Sequence, residues 1–133
     1  MTKSPNTPIR VAILDDHTLL RELLKGSLNA ETDIEVVGEA TNGAEAVALS
    51  ERLSPDVVIL DIAMPVMDGW ECLSRLRGDP KTRGVPVVIM TAWLSDDLKS
   101  RARTAGAARF LIKPFDQDEL VDIVRALARE RCG

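Results

Sequence analysis

Five residues of this 133-residue sequence have types and spacing that could do chemistry: the adjacent Asp15 and Asp16, then Asp61, Thr91 and Lys113. Each follows a short apolar run. Val11-Ala12-Ile13-Leu14 precedes the paired acids, Val57-Val58-Ile59-Leu60 precedes Asp61, Val87-Val88-Ile89-Met90 precedes Thr91, and Phe110-Leu111-Ile112 precedes Lys113. Such runs read as strands, so all five polar groups fall at strand ends. Three carboxylates brought together repel one another, raise at least one pKa and call for a cation. Oxygen donors without a nearby His or Cys cluster favour a hard divalent ion, Mg²⁺ or Mn²⁺, and one or two direct carboxylates leave room for waters and phosphate oxygens. Three carboxylates, one Mg²⁺ and the Lys113 ammonium sum to zero formal charge. A phosphoryl group can then be held between metal and lysine while a carboxylate attacks it, which is the equipment for phosphoryl transfer to an aspartate.

The elements that position these residues alternate along the chain. Strands are expected over 9–14, 34–40, 56–60, 85–90 and 109–112, with a helical pattern after each. Leu19, Leu20, Leu23, Leu24 and Leu28 form the apolar stripe of the first helix, opposite Arg21, Glu22 and Lys25. The second helix covers about 44–53 with Ala44, Val47 and Ala48 inward, and the third 69–77 with Leu73 and Leu76 inward. The fourth starts at an Ser95 cap, buries Leu98, Ala102 and Ala105, and stops at Gly106. Asp116 with Glu119 resembles a capping box opening the fifth, whose inward residues are Leu120, Ile123, Val124 and Leu127. At about 24 residues per βα unit, five units account for nearly the whole chain. The expectation is an α/β, doubly wound (βα)5 flavodoxin-like sandwich, a parallel five-stranded sheet in the order 2-1-3-4-5 with helices on both faces. The run 34–40, carrying Glu35 and Glu39, reads as an edge strand. One domain is expected over 9–131, between tails at 1–8 and 132–133.

Composition narrows the function classes. The chain is 45% hydrophobic and 29% charged, which argues against disorder. Seventeen Lys and Arg against 21 Asp and Glu give a net charge of -4, so a basic footprint for direct nucleic-acid or membrane-surface binding is not expected. No apolar run approaches the roughly 20 residues that span a bilayer, and no secretory core follows the polar start, which points to the cytoplasm. Cys72 and Cys132 have no metal or redox spacing and read as structural or incidental thiols. His17 reads as the surface opening of a helix, and Trp70 as a packing residue. A phosphohydrolase of the haloacid-dehalogenase type would carry a second acid two residues after its nucleophile, where this chain has Ala63. A nucleotide-binding module would need a Gly-, Ser- or Thr-rich loop after the first strand, and Asp15-Asp16-His17 would repel its phosphate. An interaction module with a vestigial site would not need the full set of acids, hydroxyl and amine.

Taken together, Ile13 to His17, the Asp61-Ile62-Ala63-Met64-Pro65-Val66-Met67-Asp68-Gly69 stretch, Val87 to Ala92, and Gly106 to Phe115 resemble the receiver domain of two-component response regulators. The resemblance implies that Asp61 takes a phosphoryl group from a sensor histidine kinase or phosphotransfer protein. It implies that Asp16 binds Mg²⁺ directly and Asp15 largely through water, with Asp61 and the Ala63 backbone carbonyl completing the protein ligands. Lys113 would pair with Asp61 and then with a phosphoryl oxygen, its bond to Pro114 being cis. The Thr91 hydroxyl and Ala92 N–H would take other oxygens. Phe110 stands where the family has its switching aromatic, so the surface of helix 4, strand 5 and helix 5 is expected to respond, and dimerisation through that surface is a family expectation. Lacking a hydroxyl, Phe110 could switch only by burial. Ala63 and Trp93 depart from polar residues common in the family, and the expectation is a longer-lived acyl phosphate whose decay Ala63→Asn with Trp93→Glu shortens. The segments Asp15 to Arg21 and Gly38 to Gly43 are similar to receivers that precede a helix-turn-helix output domain. Either a fused effector follows in a longer chain, or the protein acts alone on an output protein.

Overall fold

The computed structural model describes residues 7–62, 69–92 and 95–132. Ala63, Pro65, Asp68 and Trp93, singled out above, lie outside the described residues, as does most of the expected N-terminal tail. Strands β3 (Val57–Asp61) and β4 (Val87–Thr91) are buried at every position, which a strand achieves only when both faces of its sheet are covered. They lie between β1 (Ile9–Leu14) and β5 (Arg109–Ile112), with β2 (Ile34–Ala40) outermost beside β1. All neighbours are parallel and the order is β2-β1-β3-β4-β5, as expected. Two strands are shifted at both ends from the expected 56–60 and 85–90. β3 includes Asp61, and β4 begins after Pro86, which has no N–H to donate to a ladder.

Side chains alternate across the sheet and define two cores. On one face Ile13, Ile59, Val88, Met90 and Leu111 meet Leu24 and Leu28 of α1 (Thr18–Asn29) and Leu120, Val124 and Leu127 of α5 (Gln117–Cys132). On the other, Leu14, Leu60, Val87 and Ile89 meet Ala46 and Leu49 of α2 (Gly43–Leu53) and Cys72, Leu73 and Leu76 of α3 (Gly69–Gly78). The fourth helix, α4 (Asp96–Ala105), lies on this second face, where Ala105 packs against the core. Each such Leu or Ile contributes about 1.5–3 kcal/mol on burial. Among the described residues no helix is long and apolar enough to cross a membrane.

The helices sit with their inward faces rotated from the expected ones in two cases. In α1 the Leu20–Leu24–Leu28 row turns to the sheet, while Leu19 and Leu23 remain 68% and 61% exposed. In α2 the buried residues are Gly43, Ala46, Leu49 and Ser50, and Ala44 and Ala48 face solvent, because burying the larger Leu49 outweighs burying two methyl groups. Of the expected inward residues of α4, Ala102 is fully buried and Leu98 and Ala105 half-buried. The Ser95 cap is present, its Oγ accepting from Leu98 N at 3.1 Å, and Asp116 Oδ1 accepts from Glu119 N at 2.7 Å at the start of α5. Cys72 is fully buried, and burial pushes its thiol up to about 12, consistent with a packing role.

Strand β2 carries a bulge. Its register with β1 steps from Val11 opposite Val36 to Ala12 opposite Gly38, so Val37 is an extra residue. One extra residue inverts which side chains face which core. Before the bulge Ile34 and Val36 pack on the α1 side; beyond it Ala40 packs on the α2 side and Glu39 turns toward α1. Gly38 then lies against α2, where a Cβ would come within 2.7 Å of Leu53 Cδ1 and 2.9 Å of Leu49 Cδ2, so glycine lets the strand lie this close.

Candidate acidic site at the carboxyl edge of the sheet

Because β1, β3, β4 and β5 are parallel and adjacent, their carboxyl ends meet at one edge, where the chain order reverses between β1 and β3. The five chemically promising residues come together there. Asp15 follows β1, Asp61 closes β3, Thr91 closes β4, and Lys113 follows β5. Single carboxylate oxygens of Asp15, Asp16 and Asp61 all lie within 4.8 Å of one another. The Lys113 ammonium stands 3.5 Å from Asp61 Oδ2.

Burial makes this an unbalanced set of charges. Asp15 is fully buried, Asp61 and Thr91 are each 6% exposed, and Asp16 opens to solvent. Backbone and side-chain bonds fix Asp15 at three of its polar atoms. Its N–H donates to Ala40 O at 3.0 Å, its carbonyl accepts from Arg21 Nη1 at 3.0 Å, and its Oδ1 accepts from His17 N–H at 2.8 Å. Its remaining atom, Oδ2, is buried with no hydrogen-bond donor among the described residues. Burial, followed by the charge of Asp61, pushes the Asp15 carboxyl above the ordinary carboxylate range, against the His17 bond and the Lys113 charge. A buried carboxylate with one oxygen lacking a donor is costly, and a divalent cation shared with Asp16 and Asp61 would offset that cost. The all-oxygen donor set fits a hard cation, so the residues present suit a metal of the Mg²⁺ class.

The supports of the site are local. Gly69, the first residue of α3, donates from its N–H to Ile62 O at 3.1 Å. A Cβ there would stand 2.5 Å from Ile62 Cα and 2.9 Å from Asp61 O, so the close seating of α3 against the end of β3 requires glycine. The Lys113–Pro114 peptide is cis. Thr91 and Phe110 lie on neighbouring strands, Thr91 opposite Ile112 and Phe110 opposite Ile89. Phe110 is half-buried against the α2 and α3 core. His17 is exposed at the start of α1 and caps it with no side-chain bond, while Trp70 packs under the Arg101 guanidinium, 4.1 Å from the ring centroid. Two features escaped the sequence reading. Arg21, expected opposite the apolar stripe, is largely covered and reaches back to Asp15, which depends on the turn between β1 and α1. Leu19 and Leu23, read as core, instead line a hollow of about 700 Å³ with Phe115 and Pro114, adjoining Lys113 and Ala92.

This geometry has close counterparts. The family model described as the response regulator receiver domain matches residues 11–125. The transcriptional regulatory protein LiaR of Bacillus subtilis is 39% identical over 124 residues, which are 91% of this chain and 56% of LiaR. PdtaR of Mycobacterium tuberculosis, also a transcriptional regulatory protein, is 42% identical over 125 residues, 93% of this chain and 59% of PdtaR. The chain thus spans less than two thirds of the length of these relatives. Among solved structures, the signal receiver domain of the putative response regulator NarL of M. tuberculosis superposes with a TM-score of 0.84 at 34% identity, covering 92% of this chain and 98% of that one. The response regulator domain of Thermotoga maritima CheB gives 0.83 at 29% identity, covering 92% and 97%.

Proposed function

The chain belongs to the response regulator receiver domains, and from that premise we propose that Asp61 is the phosphoacceptor of a two-component system in the cytoplasm. The observation that carries the reading is the convergence of Asp15, Asp16 and Asp61 within 4.8 Å, beside a lysine ammonium 3.5 Å from Asp61. An Asp61 oxygen attacks the phosphorus of a phosphohistidine on a sensor kinase or phosphotransfer protein. The P–N bond breaks, its electron pair leaves with the imidazole, and a carboxyl–phosphate anhydride remains on Asp61. Asp15, Asp16, Asp61 and the Ala63 carbonyl would hold Mg²⁺, or Mn²⁺ in its place. When bound, such an ion neutralises charge on the acids and on the transferring group. Lys113 balances Asp61 before transfer and a phosphoryl oxygen after it, while the Thr91 hydroxyl and the Ala92 N–H donate to the others.

The pairing of β4 with β5 supports a switching route. Thr91, drawn to the phosphoryl group, vacates space beside β5 into which the half-buried Phe110 turns, and the α4–β5–α5 surface changes shape for an output protein or a fused effector domain, or for a second copy of the domain. The apolar hollow formed by Leu19, Leu23 and Phe115 next to Lys113 gives a donor protein a seat from which its phosphohistidine reaches Asp61. Ala63 and Trp93 set a slow decay, which Ala63→Asn with Trp93→Glu shortens.

The test is intact mass after incubation with acetyl phosphate and Mg²⁺. One phosphoryl group is expected on the wild-type chain and none on Asp61→Asn or in the presence of chelator. A folded wild-type chain that gains no phosphoryl group would refute the phosphoacceptor reading.

A further inference from the structure

We infer that Arg21 and Glu39 form a positioning pair for the acidic site, aimed by the β2 bulge and acting on metal affinity through the main chain of Asp15. This rests on the metal-binding reading given above.

The Arg21 guanidinium makes two contacts with different elements. Nη1 donates to the Asp15 carbonyl at 3.0 Å, and Nε faces Glu39 Oε1 at 3.4 Å. Lys25, one turn later in α1, holds the other Glu39 oxygen at 3.2 Å. Arg21 is only 13% exposed and Glu39 27%, so the pair is shielded from solvent more than an ordinary surface ion pair. Glu39 can take this place because the extra residue Val37 shifts the register of β2; in an unbulged strand Glu39 would face α2. Gly38 lets the shifted strand lie against Leu49 and Leu53.

The consequence falls on one atom. With its N–H on Ala40, its carbonyl on Arg21 and its Oδ1 on the His17 N–H, Asp15 has Oδ2 as its single polar atom without a donor among the described residues. One oxygen of the same carboxylate lies within 4.8 Å of carboxylate oxygens of Asp16 and Asp61. Outer groups that orient metal ligands in this way typically change affinity by 10- to 100-fold when removed. Glu39 holds the Nε edge of the guanidinium while Nη1 stays on the Asp15 carbonyl.

Charge and positioning predict opposite signs for one substitution, so Arg21→Gln decides between them. Removing a cation near an acidic cluster should tighten Mg²⁺ binding by simple electrostatics, whereas losing the clamp on Asp15 should weaken it. The measurement is Mg²⁺ titration by calorimetry on the metal-free chain, beside the urea midpoint of each variant. About tenfold weaker Mg²⁺ binding is expected for Arg21→Gln, and weaker binding also for Glu39→Gln and for Arg21→Lys, which keeps the charge but loses the two-pronged donor. Should Arg21→Gln not fold, the Arg21→Lys titration decides alone, because it keeps the charge, whereas neutralising Glu39 weakens cation binding by charge as well. Unchanged or tighter Mg²⁺ binding in the folded variants would overturn the inference, even if their urea midpoints fall, since a purely structural pair would lower stability alone. A wild-type chain that binds no Mg²⁺ would overturn the metal reading itself and this inference with it.

Discussion

At the amino ends of the strands the charged side chains are matched; at the carboxyl ends they are left in excess. Arg10, near the start of β1, donates from Nη1 to the carbonyls of Leu53 and Ser54 at 2.7 and 3.0 Å, closing the last turn of α2. Its own N–H donates to Asp56 Oδ2 at 2.8 Å. Arg125, in α5, makes a two-pronged contact with Asp33 at 2.8 Å on both oxygens and a third to Glu31 at 3.0 Å. Arg109 of β5 pairs with Glu130. At the opposite edge three carboxylates face one ammonium, and a buried oxygen of Asp15 has no donor among the described residues. One sheet therefore has one end arranged for stability and one that forgoes stability for an incoming cation and phosphoryl group. The difference teaches where mutations should stabilise: removing charge from the second end should help the metal-free fold, and removing it from the first should harm it.

Asp15→Asn should test that contrast most severely. It is expected to abolish Mg²⁺ binding while raising the stability of the metal-free chain by about 1 kcal/mol, because a buried carboxylate with one oxygen lacking a donor is replaced by a neutral amide. The sign extends to pH. Because the folded-state pKa of Asp15 is raised above its ordinary value of 3.8, its contribution is fully present below that pH and is lost as pH rises through the raised value. Urea midpoints in chelator should thus decline over that window for wild type and less for Asp15→Asn. A loss of stability in Asp15→Asn would break the comparison.

Arg10→Met should act in the reverse sense, lowering stability by about 1–2 kcal/mol as the Leu53 and Ser54 carbonyls lose their donor, with Mg²⁺ affinity unchanged. Denaturation and calorimetry on the same sample check both halves. The smallest effect is expected from Asp33→Asn. Arg125 holds the Asp33 carboxyl below the ordinary range, so its stabilisation is present above that range and is lost as pH falls through the lowered value. The pair is exposed, so Asp33→Asn should lower the urea midpoint only slightly at neutral pH, and the difference from wild type should disappear as pH falls through the lowered value.

The sequence by itself determined the alternation of five strands and five helices, the strand order, the edge position of β2, and the caps at Ser95 and Asp116, because each of these is local patterning or a rule of parallel connections. It also determined which five residues meet at the carboxyl edge, since every strand there ends in the residue that matters. Only the tertiary structure decided which oxygen of Asp15 lacks a partner, which leucines of α1 stay exposed, and that Gly43, Ala46 and Leu49 of α2 turn inward in place of Ala44 and Ala48. Only it showed the bulge that brings Glu39 under Arg21. Periodicity specifies that an apolar stripe exists, but a rotation of the helix by one residue, or a single extra residue in a strand, leaves the pattern almost unchanged while moving a side chain to another neighbour. Those last choices are made by packing volumes and by donors and acceptors from segments distant in the chain, and they are settled only when the two cores close on the sheet.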